Sequence, residues 1–352
     1  MVRVAAITSG RQTPSAQFRI RQYVEPLQRL GAWVHEYSPA IDKWKSLPGK
    51  PRNVTNRQLL PIYTMWQAAK LATRLPGLVA SYRHQVTWLN KELLPGYLTL
   101  EPLLHRPLVF DIDDAVWLTS PFGHRAVTGI ARRSEIVIAG NSFLGERVST
   151  VARDVVVIPT AVDTRVFQPR AQGLRNSEVF TVGWIGSSSN FPFLTGIEDA
   201  LYRFLKRHND ARVLVVAEEA PRFQRLAPER VAFEKWSEER APALVQDMDV
   251  GLMPLIDSEW ARGKCALKML QYMACGIPVV VSPVGMNKEV LGMADLGFGA
   301  RTPEEWDDAL ESIYRDQRRG EELGWNGRRI AERVFDRDVV ARQIADVFRA
   351  LT

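Results

Sequence analysis

The sequence predicts an α/β protein with two Rossmann-like domains facing a central cleft. Its 352 residues exceed the usual length of one domain. Short β-branched segments alternate with longer amphipathic segments through both halves, and this alternation is typical of right-handed βαβ units and a parallel sheet. A stretch rich in proline, glycine and polar residues, 169–177, interrupts the alternation. We therefore place the linker there.

In the first half, six segments have the composition of buried strands. They are Val2–Thr8, Ala32–Ser38, Val86–Asn90, Leu108–Asp113, Glu135–Ala139 and Val155–Pro159. Ligands of such sheets bind outside the carboxyl ends of the strands, so functional side chains are expected directly after these segments.

The second half repeats the pattern. Strands are predicted at Val179–Ile185, Arg212–Ala217, Val231–Trp236, Val250–Pro254 and Val279–Ser282, with helices near Phe193–His208, Glu238–Met248 and Ala266–Ala274. After Thr302 the pattern is wholly helical and ends in a helix over Asp336–Leu351.

Composition excludes several classes of protein. Hydrophobic residues make up 46% and charged residues 24%, values typical of a folded globular chain. The N-terminus begins with a strand pattern and no run of about 18 apolar residues occurs, so a cytoplasmic location without a membrane span is expected. Cys265 and Cys275 are too few for a disulfide framework or a zinc site. The net charge is +6, but the basic residues are scattered and form no nucleic-acid motif. Phosphate ligands or a membrane surface are therefore favoured over nucleic acid as partners.

The segment from Trp260 to Gly285 is the strongest candidate for a ligand site. On a helix, Lys264, Lys268 and Gln271 would lie within about 60° of one another, opposite an apolar face. Lys264 is predicted at the helix start, where backbone N–H groups and the helix dipole favour an anion such as a diphosphate. Gln271 is placed to bind ribose hydroxyls. The structural alternative is a solvated helix edge with ordinary lysines, but the flanking glycine- and proline-containing turns favour the anion site.

The segment Lys264–Asn287 resembles the donor-binding region of glycosyltransferase family 4, which has the GT-B fold. Further similarities follow in the family's order at Ser15–Tyr23, Asn90–Pro95, Phe110–Trp117, Ala139–Leu144, Ile158–Asp163, Val182–Ser187 and Asp249–Leu255. The resemblance implies an acceptor-binding domain at 1–170, a nucleotide-sugar-binding domain at 171–334, and a last helix at 335–352 that crosses back to the first domain.

The resemblance also implies a reaction. A hexosyltransferase of this family would move sugar from a UDP- or GDP-linked donor to a glycan, lipid-linked or protein acceptor, in cell-surface polysaccharide or glycoconjugate synthesis. It would retain the anomeric configuration and need neither metal nor cofactor. Lys264 and Lys268 would then neutralise the leaving diphosphate.

Two departures from the family pattern affect the donor site. The family's Glu-x7-Glu carboxylates would fall at Gly263 and Gln271, although one branch of the family carries glutamine at the second position. An arginine common in the family just after the first glycine of the second domain is also replaced, in the segment Gly183–Asn190. Gly186, Ser187 and Ser188 are expected to supply backbone N–H and hydroxyl donors instead, unless they form a plain strand-to-helix turn.

Two other positions match donor-binding features of the family. Gly285, Met286 and Asn287 resemble a loop whose amides approach the transferred sugar. Trp236 ends a strand where the family receives the nucleobase, although an aromatic side chain there also serves for packing.

The acceptor side is predicted around the fourth strand. Asp111, Asp113 and Asp114 end this strand, and at least one carboxylate, Asp113 for catalysis, is expected to face the cleft and accept a hydroxyl proton, with helix capping as the alternative. Of the two arginines after the first strand, Arg19 is preferred to Arg21 as the one that reaches a ligand.

Three more residues are acceptor-side candidates. Lys91 and Glu92 follow the third strand and border the cleft, unless they form an exposed ion pair. His124, predicted in a loop, is placed to reach the acceptor, although a lone histidine is often incidental.

Rival functions remain at this stage. The Asp111–Asp114 pattern is also typical of phosphatases with an aspartyl nucleophile, but Ala115 does not fit them. The missing carboxylates suggest an inactive nucleotide-sugar-binding scaffold. A membrane adaptor, or an enzyme at the inner face of the membrane, is suggested by aromatic residues beside cations: Trp44 with Lys43 and Lys45, and Trp66 with Lys70 and Arg74.

Overall fold

The computed structural model describes residues 1–11, 13–47, 60–170 and 179–352. They form two compact units, residues 1–160 with 340–352 and residues 161–339. Each unit contains one six-stranded parallel sheet with helices on its faces. The predicted α/β class with two Rossmann-like domains is therefore confirmed. Most of the predicted linker, from residue 171 onward, lies outside the described residues.

The first unit has the strand order β2-β1-β3-β4-β5-β6. Its strands are β1 (Val2–Ile7), β2 (Ala32–Tyr37), β3 (Val86–Asn90), β4 (Leu108–Ile112), β5 (Ile136–Ala139) and β6 (Val155–Val157). Its helices are α1 (Pro14–Ala16), α2 (Gln22–Arg29), α3 (Leu60–Ala72), α4 (Leu75–Ser81), α5 (Gly123–Arg133) and α6 (Ser142–Ser149), with a π-helical turn at Gln17–Arg21. The order reverses between β1 and β3, where a doubly wound sheet opens a crevice.

Burial explains the strand composition of this unit. All residues of β3 and β4 are buried, as in parallel strands covered on both faces. Trp88 of β3 packs edge-on against Phe348, with ring centroids 5.3 Å apart, so the C-terminal residues 340–352 contribute to the core of this unit.

The second unit has the strand order β12-β11-β10-β7-β8-β9. Its strands are β7 (Phe180–Ile185), β8 (Ala211–Ala217), β9 (Val231–Lys235), β10 (Val250–Met253), β11 (Val279–Val281) and β12 (Gly297–Gly299). Its helices are α7 (Phe191–Thr195), α8 (Glu198–Arg207), α9 (Ala241–Gln246), α10 (Glu259–Arg262), α11 (Leu267–Ala274), α12 (Met286–Leu291), α13 (Pro303–Arg315) and α14 (Gln317–Ile330), and α15 (Arg337–Ala350) follows. The order reverses between β7 and β10.

The predicted strands all form within two residues of their expected ends. Strand β12 was not predicted, because its three residues include Gly297 and Gly299 and glycine is depleted in strands. The helix predicted at Phe193–His208 is two helices, α7 and α8. No helix in the described ranges is both long and apolar enough to cross a bilayer.

The boundaries of the units differ from the predicted 170 and 335. Residues 161–170 belong to the second unit, because the Arg328 guanidinium donates hydrogen bonds to Thr164 O at 3.0 Å and Phe167 O at 2.7 Å. Val162 also pairs with Asp336, which keeps the residues before 340 in this unit. These contacts join segments more than 160 positions apart, so local composition does not reveal them.

Candidate active site

The carboxyl ends of β7 and β10 separate at the strand-order reversal of the second unit. Strand β10 pairs with β7 only through Val250↔Val182 and Gly251↔Gly183. Beyond this register the Tyr272 hydroxyl accepts a hydrogen bond from Ile185 N at 2.9 Å and donates one to Leu252 O at 3.2 Å. The phenol hydroxyl therefore takes the place of the backbone hydrogen bonds that β7 and β10 do not form beyond Gly183 and Gly251, and it holds the two strands apart.

Tyr272 shapes this part of the candidate site, and sequence reasoning missed it. A Cβ atom at Gly251 would lie 2.3 Å from the Tyr272 ring, so the ring requires glycine in β10. The side chain is completely buried, and burial raises the pKa of the phenol, which stays neutral and able to donate. An aromatic residue on a buried helix facing a strand glycine is the sequence signal that would have pointed to it.

The side chain of Lys268 lies beside the carboxyl end of β7. It belongs to the first turn of α11, and its ammonium is 4.3 Å from the centroid of the Trp184 ring. A Cβ atom at Gly186 would lie 2.3 Å from Lys268 Cε, so only glycine lets the lysine cross this turn. Burial and the charge of Lys264 lower the pKa of Lys268 to about 7, although Glu218 opposes them. The structure thus brings the predicted Lys268 and Gly186 into direct contact.

Lys264 is not at a helix start, contrary to the prediction. It lies in the turn between α10 and α11, and its backbone N–H donates to Ala261 O at 3.1 Å. Ala266 has a left-handed conformation with φ of 53°, which interrupts the helix, so α11 begins only at Leu267. Lys264 therefore shares no helical face with Lys268 or Gln271. Its charge still acts on Lys268.

The start of α11 adds backbone donors next to Lys268. The first bond within this helix runs from Leu270 N to Ala266 O at 3.1 Å. The amides of Leu267, Lys268 and Met269 precede it, at the positive end of the helix dipole. Gln271 is one turn further along and is 7% exposed, and its predicted contact with ribose stays a prediction.

The turn after β7 already uses the donors predicted for phosphate. Gly186 N donates to Val216 O at 3.0 Å, and Ser188 N donates to Glu218 Oε2 at 2.9 Å. The Ser187 hydroxyl accepts from Asn190 Nδ2 at 2.7 Å. These groups are hydrogen-bonded within the chain in this structure, and their predicted contact with a diphosphate stays a prediction. The Ser188 amide nevertheless binds an anionic oxygen here, that of a carboxylate.

The segment Gly285 to Asn287 is the start of helix α12 rather than a loop. Gly285, with φ of 52°, precedes the helix, and a Cβ atom there would lie 2.7 Å from Arg262 O. Met286 and Asn287 are buried, and the Asn287 side chain donates to Ser282 O at 3.1 Å. Only Gly285 of these three lies outside the helix, and the predicted approach of their amides to the transferred sugar stays a prediction.

Trp236 directly follows β9, and its ring is 39% exposed. Strand β9 is the edge strand, separated from β7 by β8, which corresponds to about 10 Å at normal strand spacing. A role of Trp236 with a nucleobase stays a prediction.

Arg19 and Asp111 form a buried ion pair in the first unit. Arg19 Nε and Nη2 donate to the two Asp111 carboxylate oxygens at 2.9 and 3.1 Å, and both side chains are fully buried. Burial disfavours the arginine charge, but the Asp111 carboxylate outweighs it and raises the pKa of Arg19. The prediction that Arg19 and Asp111 face a ligand is therefore wrong, since buried charges must be paired. Arg21 pairs with Glu36 at 2.7 Å.

Lys91 joins the two other predicted aspartates. Its Nζ lies 2.8 Å from Asp113 Oδ1 and 2.6 Å from Asp114 Oδ2, and these carboxylates are 13% and 30% exposed. Burial acts to lower the pKa of Lys91, but the opposite effect of the two carboxylates is larger. The pKa of Lys91 is therefore raised, and the lysine stays charged. Glu92 instead pairs with Lys43 at 3.1 Å, buried. The alternative of an exposed pair between Lys91 and Glu92 is therefore wrong.

The remaining acceptor-side and membrane candidates lie elsewhere than expected. His124 is in the first turn of α5, not in a loop, and its Nδ1 lies 2.7 Å from Arg147 Nη2. Lys43, Lys70 and Arg74 are buried, and Lys70 donates to Lys43 O at 2.7 Å, so these cations do not face a membrane. Within the described ranges, no cluster of three or more His, Cys, Asp or Glu side chains is arranged for a metal ion.

Two Rossmann-like units, each with a parallel six-stranded sheet, are the architecture of the GT-B fold. Solved structures share it. The sucrose-phosphate synthase from Thermosynechococcus elongatus has a TM-score of 0.70 and 16% identity, covering 100% of this chain and 99% of that chain. Anabaena HepE in complex with UDP-glucose has a TM-score of 0.71 and 16% identity, covering 99% and 100%.

Sequence comparison relates the second unit to glycosyltransferases. Residues 178–316 match the family model described as "Glycosyl transferases group 1". The MMP alpha-(1->4)-mannosyltransferase of Mycolicibacterium hassiacum is 28% identical over 205 residues, 54% of this chain and 47% of that protein. The chain thus spans about half the length of this curated relative. The match over residues 178–316 supports the predicted glycosyltransferase class rather than the phosphatase alternative, and the solved structures support the GT-B fold.

Proposed function

We propose that the chain transfers a sugar from a nucleotide-diphosphate donor to an acceptor hydroxyl, and that the second unit holds the donor where β7 and β10 separate. The observation that supports this proposal is the position of Lys268: its side chain crosses Gly186 at the end of β7, and the charge of Lys264 acts on it. A diphosphate diester has two negative charges, which two lysines and the helix amides beside Lys268 would balance. That HepE is seen with UDP-glucose supports this choice of donor.

In the proposed reaction, the bond between the anomeric carbon and the diphosphate oxygen breaks, and the acceptor oxygen bonds to that carbon. The products are the glycosylated acceptor, a nucleoside diphosphate and the acceptor's proton. Negative charge builds up on the leaving diphosphate, so lysines placed beside it stabilise the transition state more than the bound donor. Retention of configuration and independence of metal ions belong to the proposal.

Donor binding is the direct test. Titration calorimetry with UDP-glucose, UDP-N-acetylglucosamine and GDP-mannose is expected to find binding of at least one donor, weakened strongly by Lys264→Ala and by Lys268→Met. Lys206→Ala, an exposed lysine of α8 in the same unit, is the matched control and should bind as wild type. Binding that survives both site variants would remove the basis of the proposal.

Transfer is assayed by release of nucleoside diphosphate with glycan, lipid-linked or protein acceptors. Activity is expected to be insensitive to EDTA, and recovery of lost activity on adding a divalent ion would contradict metal independence. A location at the cytoplasmic face of the membrane and a role in surface polysaccharide or glycoconjugate synthesis are further parts of the proposal.

A second candidate function is a donor-binding scaffold without transfer activity. It is favoured by Gly263 and Gln271, which stand where the resembling family carries carboxylates. An enzyme slowly hydrolyses its bound donor without acceptor, so release of nucleoside diphosphate separates the two. Donor binding without any such release would favour the scaffold.

A further inference from the structure

The loops that follow β3 and β4 in the first unit are built as one surface. At their base, Lys91 binds both Asp113 and Asp114. Further along, Gly96 has φ of 75°, and a Cβ atom there would lie 2.1 Å from Ser120 Oγ. The two loops therefore pack backbone against side chain, and a substitution at Gly96 would push them apart.

At their tips the loops present two exposed aromatic rings. The rings of Tyr97 and Phe122 have centroids 6.0 Å apart and are inclined by 43°. Tyr97 is 53% and Phe122 49% exposed, and Leu98 and Leu118 beside them in sequence are 42% and 39% exposed. We call Tyr97 and Phe122 the aromatic platform. Such a group of exposed apolar side chains marks a binding surface, because leaving it in water is unfavourable.

The residues next to the platform in sequence are packed closely. A Cβ atom at Gly123, directly after Phe122, would lie 2.3 Å from the backbone oxygen of Trp117, which is itself 1% exposed. Leu98 is seated so closely on α5 that a Cβ atom at Gly129 would lie 2.7 Å from Leu98 Cδ2. Support of this kind lowers the entropic cost of binding, since the rings need little further ordering.

Lys91 gives a second, independent sign of function. It has φ of 61°, a left-handed conformation that is unfavourable for a residue with a side chain and that is concentrated at functional sites. In this conformation its ammonium reaches both Asp113 and Asp114 and holds the two carboxylates at the edge of the sheet. Lys91 is therefore a positioning residue for two hydrogen-bond acceptors.

The combination of rings and carboxylates selects the chemistry of the ligand. A pyranose ring has one face of C–H groups, which suits the electron-rich face of an aromatic ring, and a rim of hydroxyls that donate to carboxylates. One ammonium against two carboxylates leaves a net negative charge at the base of these loops, which disfavours an anionic bilayer. We propose that the loop surface that carries the aromatic platform, Asp113 and Asp114 binds a saccharide acceptor. This inference builds on the proposed glycosyltransferase function and names its acceptor class.

The test measures saccharide binding without donor. Saturation-transfer NMR on the full chain with methyl α-glucopyranoside, methyl α-mannopyranoside and maltotriose is expected to detect binding of at least one probe. Replacing both rings by alanine, Tyr97→Ala with Phe122→Ala, should weaken it at least about tenfold. Tyr63→Ala on α3 is the matched control, since Tyr63 is 52% exposed, and it should bind as wild type.

Two more measurements keep the result interpretable. Phe122→Leu preserves apolar area but removes the aromatic face, so it should also weaken saccharide binding severalfold. Donor affinity should be unchanged in every platform variant, which separates failure of this inference from failure of the proposed donor site. The inference is overturned if wild type binds none of the probes, if the double variant binds them as wild type does, or if that variant loses only binding to phosphatidylcholine–phosphatidylglycerol vesicles.

Discussion

Donor binding should depend on the protonation of Lys268. Its pKa of about 7 means that the ammonium is only about half charged at neutral pH. A bound diphosphate favours the charged form and raises this pKa, so the bound state holds more protons than the free state. Affinity is therefore highest at low pH and falls as pH rises through the pKa of the free enzyme.

The size of this effect follows from that pKa. The protonated fraction of Lys268 falls from about 0.9 at pH 6 to about 0.1 at pH 8, so donor affinity should fall about tenfold over this interval. Both phosphates of a nucleotide sugar are diesters without a proton that titrates near neutrality, so the donor adds no pH dependence of its own.

The assay is titration calorimetry with the nucleotide sugar at pH 6, 7 and 8, in two buffers of different ionisation enthalpy to count protons taken up. Lys268→Met should bind weakly with a flat profile. Lys264→Met removes the neighbouring charge that lowers the Lys268 pKa, so its profile should move to higher pH. A Lys268→Met profile as steep as that of wild type would refute the reasoning.

Three further variants test contacts described above. Tyr272→Phe leaves the buried Ile185 amide without its partner and should lower the free energy of unfolding by about 1–3 kcal/mol in urea titrations, and an unchanged midpoint would contradict the role of the hydroxyl. Glu218→Gln removes a negative charge beside the Ser188 amide but also lowers the Lys268 pKa, so donor binding should tighten severalfold in calorimetry at pH 6, where Lys268 is mostly protonated, whereas weaker binding there would show that Glu218 itself serves the donor. Arg19→Met leaves Asp111 buried and unpaired and should cost about 3–5 kcal/mol of stability, which the added change Asp111→Leu should largely restore; a single variant as stable as wild type would rule out the pair's structural role.

The alternation of buried strands and amphipathic helices was predictable because it is a local property. Strands such as Val86–Asn90 are apolar throughout since both faces of a parallel sheet are covered, and that requirement is visible in a few consecutive residues. The segment around Lys264 and Lys268 was identified in the same way, by its own residues and turns. The class of fold followed from these features, whereas the class of enzyme was implied by the resemblance of Lys264–Asn287 to a known family.

Tertiary structure alone decided which polar side chains bind partners within the fold and which stay available. Arg19 and Asp111 are 92 residues apart, and nothing near either one shows that they neutralise each other. The left-handed Ala266 removed Lys264 from the helix, and the Tyr97 and Phe122 rings meet only because two loops pack together. A sequence pattern reports the environment along one element, whereas charge pairing, burial and ring contacts depend on distances between elements that the folded chain sets.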